Sequence, residues 1–313
     1  MTEIALALGG GGVKGVAHLG VIRCLEQAGF KIRAIAGTSA GGLIGSIYAA
    51  GYTPDEIVEV LSKVDQKFLF KRNSPEEPSL LGLQGVTLTL TQLLGSRSFD
   101  DLSIPFGCTA VDLETSLEVI LTRGRVIDAV LATIAVPGIF PPMQINGARL
   151  IDGAVLDPVP VSLARWLAPT LPVVAVCLSP SPRGWAQLKP LTLPPNTPIP
   201  APIIDQFARL RVGQAFQIYI KAIETTSHML AELRMQIDKP EVIIRPDVDH
   251  IGYLDPINPQ DLIAIGEQAA CEKLQHIRES LSVINQLNRK LRRTNPLQAN
   301  AQYLGSSPLG EGK

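Results

Sequence analysis

Two side chains in this sequence have the chemistry and the setting to act on a carbonyl carbon, and both stand beside glycine. Ser39 is the centre of Gly37-Thr38-Ser39-Ala40-Gly41, a G-x-S-x-G pattern between an apolar run and a small-residue run. A strand-to-helix turn of that kind holds a serine hydroxyl out at the top of a sheet, and glycines on either side let the backbone turn sharply. The helix start beyond it favours developing negative charge. The plainer alternative is a serine cap in a tight turn. The second candidate is Asp152, followed by Gly153 and preceded by the apolar Leu150 and Ile151, a setting that also suits an ordinary turn aspartate.

A third feature supplies backbone rather than side chains. Residues 9–12 are four consecutive glycines, followed by Val13, Lys14 and Gly15. Gly10, Gly12 and Gly15 satisfy G-x-G-x-x-G after a strand and before a helix, the pattern of a dinucleotide fingerprint. That reading requires an acidic residue about 20 positions on, at the end of the second strand. The second strand runs instead into Gly37, Thr38 and Ser39, and Glu26 lies within the first helix. A P-loop is excluded because Gly15, not Ser or Thr, follows Lys14.

A serine nucleophile needs a base within hydrogen-bond reach. Histidines are few: His18 in the first helix, His228 in a long helix, His250 in a late loop and His276 on the outer face of the last helix. None has the context of a triad histidine, and His250 is kept as the alternative base. Cys24, Cys108, Cys177 and Cys271 are far apart in apolar surroundings without metal-ligand spacing, which predicts buried, reduced thiols.

These residues have to be positioned by an α/β scaffold. Strands are predicted at 3–8 and 31–36, helices at 14–28, 43–51 and 54–64, the last opened by Thr53 and Pro54 with Glu56. Residues 66–102 read as loops around a short helix at 87–94, in the manner of a flap. Two strands follow at 105–113 and 116–124, a helix at 126–136 stopped by Pro137, and a strand pair about the Asn146-Gly147 turn. Residues 173–179 form a continuous apolar strand suited to the middle of a parallel sheet. Prolines then recur from Pro180 to Pro202, which predicts an extended loop. A long helix at 203–236, a late strand at 241–246, a helix at 260–292 and a disordered tail at 293–313 complete the chain. Strand and helix in alternation is an α/β signature.

Composition bounds the function. The chain has 313 residues, 46% hydrophobic and 18% charged, enough for a sizeable core. A net charge of -1 gives no electrostatic reason to expect nucleic acid. No apolar run approaches the ~18 residues of a membrane span, and the start reads as a strand rather than a secretory signal, so a cytoplasmic protein is expected. Phe68, Leu69, Phe70, Leu80, Leu81 and Leu83 are either a lipid-facing patch, giving peripheral membrane contact, or core packing.

GGGGVKG, GTSAG and DGA, in that order, resemble the patatin-like phospholipase family, most strongly over residues 4–60 and 105–180. The resemblance implies a three-layer α/β/α sandwich around a mainly parallel sheet, with residues 1–180 as the catalytic core and 203–292 completing the same domain. It implies a dyad, Ser39 as nucleophile and Asp152 as base, an oxyanion hole from the N–H groups of Gly10, Gly11 and Gly12, and motif support from Lys14, Gly15, Gly37, Gly41 and Gly153. Lys14 takes the family's basic position, often Arg, and keeps the charge without the planar fork. The implied substrates are lipid or other acyl esters, hydrolysed through an acyl-serine with no cofactor or metal. An acyltransferase using the same serine is the nearest alternative, and a dinucleotide-binding protein the alternative of another class.

Overall fold

The computed structural model describes residues 2–63, 70–71, 79–179, 211–281 and 302–303. The expected loop at 181–202, Phe68, Leu69 and nearly all of the expected tail lie outside them. The elements are β1 (Thr2–Leu8), α1 (Ala17–Gln27), β2 (Phe30–Gly37), α2 (Ala40–Ala49), α3 (Pro54–Lys63), α4 (Gln84–Leu94), β3 (Phe106–Asp112), β4 (Glu118–Leu121), α5 (Val126–Thr133), β5 (Met143–Ile145), β6 (Ala148–Asp152), α6 (Val161–Leu167), β7 (Val173–Val176), α7 (Arg211–Asp238), β8 (Val242–Ile244), α8 (Pro259–Cys271), α9 (Leu274–Ser280) and β9 (Gln302–Tyr303).

The strands form one mainly parallel sheet in the order β5-β6-β3-β2-β1-β7-β8, with β4 beside β3. β1 is central, parallel to β2 on one side and β7 on the other. Side chains alternate across a strand, so its two faces feed two cores. Ile4, Leu6 and Leu8 pack with residues of α1, α2, α3, α4, α5 and α8. Ala5 and Ala7 join Ala34, Ala36 and Ala175 against Val161, Leu163 and Ala164 of α6 and Ala231 and Met235 of α7. A face made of alanines lets α6 lie close to the sheet. The result is the helix/sheet/helix sandwich expected from the sequence.

Local signals act as read. Thr53 and Glu56 form a reciprocal cap on α3, the Thr53 amide donating to Glu56 at 2.8 Å and the Glu56 amide to the Thr53 hydroxyl at 3.3 Å. β3 and β4 pair as the expected antiparallel hairpin, and β5 and β6 about Asn146-Gly147. Three expectations need correction. The short helix expected at 87–94 is present but starts three residues earlier, as α4, whose Val86, Leu90, Leu93 and Leu94 are buried. The single helix expected at 260–292 is two, α8 and α9, separated at 272–273. Within the expected disordered tail, Gln302–Tyr303 pairs in parallel with Val119–Ile120 of β4.

The described residues of the suggested lipid-facing patch pack inward. Leu81 and Leu83 are buried, Leu80 is half-buried against the core, and the Phe70 ring lies 5.5 Å from that of Phe140. Among the described residues no helix is long and apolar enough to cross a membrane.

Candidate active site

β3 brings the two candidate residues together. Cys108 pairs with Gly37 of β2 and with Leu121 of β4, and Ala110 pairs with Asp152 of β6 and with Val119 of β4. A strand has two edges, and β4 occupies one of them at both positions. β2 and β6 therefore share the other edge, β2 running parallel and β6 antiparallel to β3, and their C-terminal ends meet two residues apart. At ~3.3 Å per residue the gap is about 7 Å along β3, a width that side chains can close. Thr109 fills it, its hydroxyl 2.7 Å from that of Thr38, which donates in turn to the Asp157 carbonyl at 2.9 Å.

At the end of β2 the chain turns into α2 through Ser39, whose φ of 52° and ψ of -123° are outside the ordinary regions for a residue with a side chain. Such a conformation costs about 1–3 kcal/mol and persists only where the surroundings impose it. The Ser39 amide donates to the Thr133 hydroxyl at 2.9 Å, and α2 sits so close to β1 that a Cβ on Gly41 would lie 2.1 Å from the Leu8 carbonyl oxygen. Gly37 faces Gly41 and Gly42 across the same turn, and Gly15 abuts Ala40. The glycines of the two motifs thus interlock.

Asp152 ends β6, 2% exposed, and caps a short 3-10 turn over Gly153–Val155. Its carboxylate accepts the Ala154 amide at 2.8 Å and the hydroxyl of Ser39. Burial drives its pKa up to about 7, against the two hydrogen bonds, which favour the charged form. It is thus a base poised near neutrality and already bonded to the serine proton. Gly153 packs on Thr109 with no room for a side chain. Among the described residues no histidine hydrogen-bonds to Ser39 or Asp152. His18 is buried in α1, His228 is buried in α7, and His250 and His276 are exposed.

The glycine run passes over the serine. A Cβ on Gly10 would stand 3.2 Å from that of Ser39. The Gly10 amide is committed, however, donating to the Pro158 carbonyl at 3.0 Å, so of the three glycines expected to supply N–H groups it is the one already bonded. Among the described residues no carbonyl is paired with the amide of Gly11 or of Gly12. Gly12 has a φ of +60° and packs on the Tyr253 carbonyl, which accepts the Val13 amide at 3.0 Å. Lys14 is 3% exposed with its ammonium 5.5 Å from the Tyr253 ring centroid. Burial lowers its pKa, and Asp249, Glu224 and Asp255 oppose that shift.

Sequence reasoning missed three parts of this site. The first is an apolar cavity of about 250 Å³ with Ser39, Gly12, Val13, Gly15 and Val16 in its wall, lined further by side chains such as Leu43 and Ile47 of α2, Ile57 of α3, Leu90 of α4, and Phe70 and Phe140. Thr89 of α4, also in the wall, turns its hydroxyl back to the Gly85 carbonyl. The helical spacing of Val86, Leu90 and Leu93 was the available signal. The second is α7, which holds the segment after Asp152. Ser227 donates to the Ala154 carbonyl at 3.2 Å, and Arg234 donates to the Leu156 carbonyl at 3.3 Å and to Glu118 at 3.0 Å, with Asp157 and Asp238 at 3.8 and 3.9 Å. The third concerns the thiols. Cys271 is exposed rather than buried, and it hydrogen-bonds to Cys24 across the α1/α8 contact.

The family description "Patatin-like phospholipase" matches residues 6–165. An uncharacterized NTE family protein of Mycobacterium tuberculosis is 33% identical over 187 residues, 59% of this chain and 51% of that protein. Lysophospholipase NTE1 of Pyricularia oryzae is 27% identical over 320 residues, 93% of this chain and 20% of that protein. The chain therefore spans about half the length of the mycobacterial relative and a fifth of the fungal one. Among solved structures, VipD from Legionella pneumophila superposes with a TM-score of 0.45 at 12% identity, over 89% of this chain and 67% of that one.

Proposed function

The chain belongs to the patatin-like phospholipase family, and from that premise we propose that it is a serine esterase that hydrolyses lipid acyl esters with a Ser39–Asp152 dyad. The observation that carries the proposal is the hydrogen bond from the Ser39 hydroxyl to a buried carboxylate of pKa about 7, at the wall of an apolar cavity. As Ser39 Oγ attacks the ester carbonyl, its proton passes to Asp152, and the carbonyl oxygen takes negative charge facing the amides of Gly11 and Gly12. Preorganised donors aimed at that oxygen are worth about 3–4 kcal/mol each in comparable sites. Asp152 then gives the proton to the departing alcohol, leaving an acyl-serine. Water, deprotonated by Asp152 in its turn, releases the carboxylic acid and restores Ser39.

The apolar wall of the cavity supports a substrate that carries an acyl chain. A lysophospholipid or another single-chain ester is the class proposed, in keeping with the name of the fungal relatives. An acyltransferase would share every residue of the dyad and differ only in the acceptor of the acyl group.

The test is labelling with a fluorophosphonate probe followed by product analysis on lysophospholipids, phospholipids and short p-nitrophenyl esters. Modification of Ser39, with free fatty acid released from single-chain esters, is expected. Bound flavin or nicotinamide in the purified protein with Ser39 unlabelled would overturn the esterase reading, and transfer of the acyl group to an alcohol or lysolipid would replace it with the transferase.

A further inference from the structure

The dyad gives no task to a buried histidine beside the glycine run. His18, on the first turn of α1, is fully buried, and its Nε2 lies 2.8 Å from the carbonyl oxygen of Gly9. A carbonyl only accepts, so Nε2 must carry the ring proton and donate it. His18 Nδ1 is then a buried acceptor that no donor reaches. A buried polar atom left unpaired is destabilising, so the Nε2 bond has to offset a cost that an apolar residue would avoid. Burial also drives the His18 pKa down to about 4, against the pull of the Gly9 carbonyl, so the ring is neutral wherever an aspartate of pKa about 7 acts as base.

The bond falls on a particular peptide plane. The carbonyl of Gly9 and the amide of Gly10 belong to the same rigid unit, and the Gly10 amide donates to the Pro158 carbonyl at 3.0 Å. One end of the plane is thus held by α1 and the other by the segment after Asp152, while the Gly9 amide is fixed to the Val176 carbonyl at 2.9 Å. The next two peptide units present the unpaired amides of Gly11 and Gly12. A run of four glycines has no side chains to hold its own dihedral angles and loses more freedom on ordering than any other sequence of its length. Its orientation must come from outside.

We propose that His18 is a positioning residue, clamping the Gly9–Gly10 peptide so that the amides of Gly11 and Gly12 point at the oxyanion. This rests on the oxyanion role proposed for those two glycines. In action His18 moves no proton and touches no substrate; it keeps two donors aimed before the reaction begins, which is the condition for electrostatic stabilisation without reorganisation.

The test compares wild type with His18→Leu, which removes the donor, and His18→Gln, which restores an N–H donor at a similar reach. Three readouts are taken: amide hydrogen exchange over residues 9–16, kcat and KM on a p-nitrophenyl ester, and the inhibition constant of a trifluoromethyl ketone, which forms a tetrahedral adduct with serine. His18→Leu is expected to exchange faster over that segment, to lose about 30- to 100-fold in kcat with little change in KM, and to bind the ketone more weakly by a similar factor, at or below the ~100-fold lower end of the loss seen when an oxyanion donor is removed outright. His18→Gln is expected to recover most of all three. Unchanged exchange in a folded His18→Leu protein overturns the clamp, whatever the kinetics. Faster exchange with unchanged kcat overturns the link to catalysis and, with it, the role of Gly11 and Gly12. Equal damage from Gln and Leu overturns the donor role in favour of packing. Should His18→Leu fail to fold, His18→Asn, with an amide of shorter reach, takes its place under the same criteria. A wild type with no esterase activity is a failure of the esterase reading, while the exchange comparison still decides the clamp.

Discussion

The two halves of the site are built in opposite ways. The serine half is local: residues 9–15 and 37–42 interlock through glycines over a stretch of the chain about thirty residues long, and the backbone does most of the holding. The aspartate half is assembled from afar. Asp152 ends a strand placed by β3, and the turn after it is tied by Ser227 and Arg234 of α7, beyond the span of the family match. The serine half is therefore rigid by close packing, and the aspartate half by polar bonds to a separate helix. Breaking each should fail in a different manner.

The largest effect is expected where the halves touch. Ser39→Ala and Asp152→Asn should each lower kcat by at least about 10³-fold, with circular dichroism unchanged, because a nucleophile and its base act as one unit. Next comes the helix that holds the base. Arg234→Met leaves Glu118, Asp157 and Asp238 buried around no cation, and Asp157 is already held well above its ordinary pKa by burial and by Glu118. Removing one partner of a buried ionic cluster costs about 3–5 kcal/mol, to be read from urea denaturation.

Asp152 itself should show the conflict between function and stability. Its folded pKa of about 7 lies above the unfolded value of 3.8, so the folded state holds the proton more tightly. Stability from that proton is complete below about pH 4 and is lost as pH rises through about 7. Asp152→Asn escapes the loss. It should match wild type near pH 4 and be more stable by up to about 4 kcal/mol above pH 8, from ~1.4 kcal/mol per unit of pKa. Equal stability of the two proteins across that range would contradict the buried-carboxylate account.

The smallest effects sharpen the comparison. Ser227→Ala removes one bond to the Ala154 carbonyl and should cost about 1 kcal/mol of stability with a several-fold fall in kcat, measured by thermal melting and steady-state kinetics. His250→Ala should leave both nearly unchanged, since that histidine is exposed and bonded to neither dyad residue.

The same division explains what could be read in the sequence. The elbow at Ser39, the glycine run and the alternation of strand and helix were legible because each is written in contiguous residues with a fixed backbone requirement. The meeting of Ser39 and Asp152 was not legible from geometry, because it depends on β2 and β6 sharing one edge of β3, a register among three distant segments. Arg234 looked like one charge on an amphipathic helix, and its three acidic partners are spread over 120 residues of chain. The cavity escaped because its wall joins Phe70 and Leu83 to residues of α2, α3 and α4, and no single periodic run displays how those segments pack together. The break between α8 and α9 falls at Glu272-Lys273, where neither residue is a helix breaker.

The pH dependence of fluorophosphonate labelling at Ser39, in wild type and Asp152→Asn, tests the dyad most directly because it requires no knowledge of the substrate. The account predicts a labelling rate that rises with pH through a single ionisation near 7 in wild type, and an Asp152→Asn protein that labels at least about 100-fold more slowly. An Asp152→Asn protein that labels at the wild-type rate, or a wild-type ionisation that disappears in His250→Ala, would contradict it.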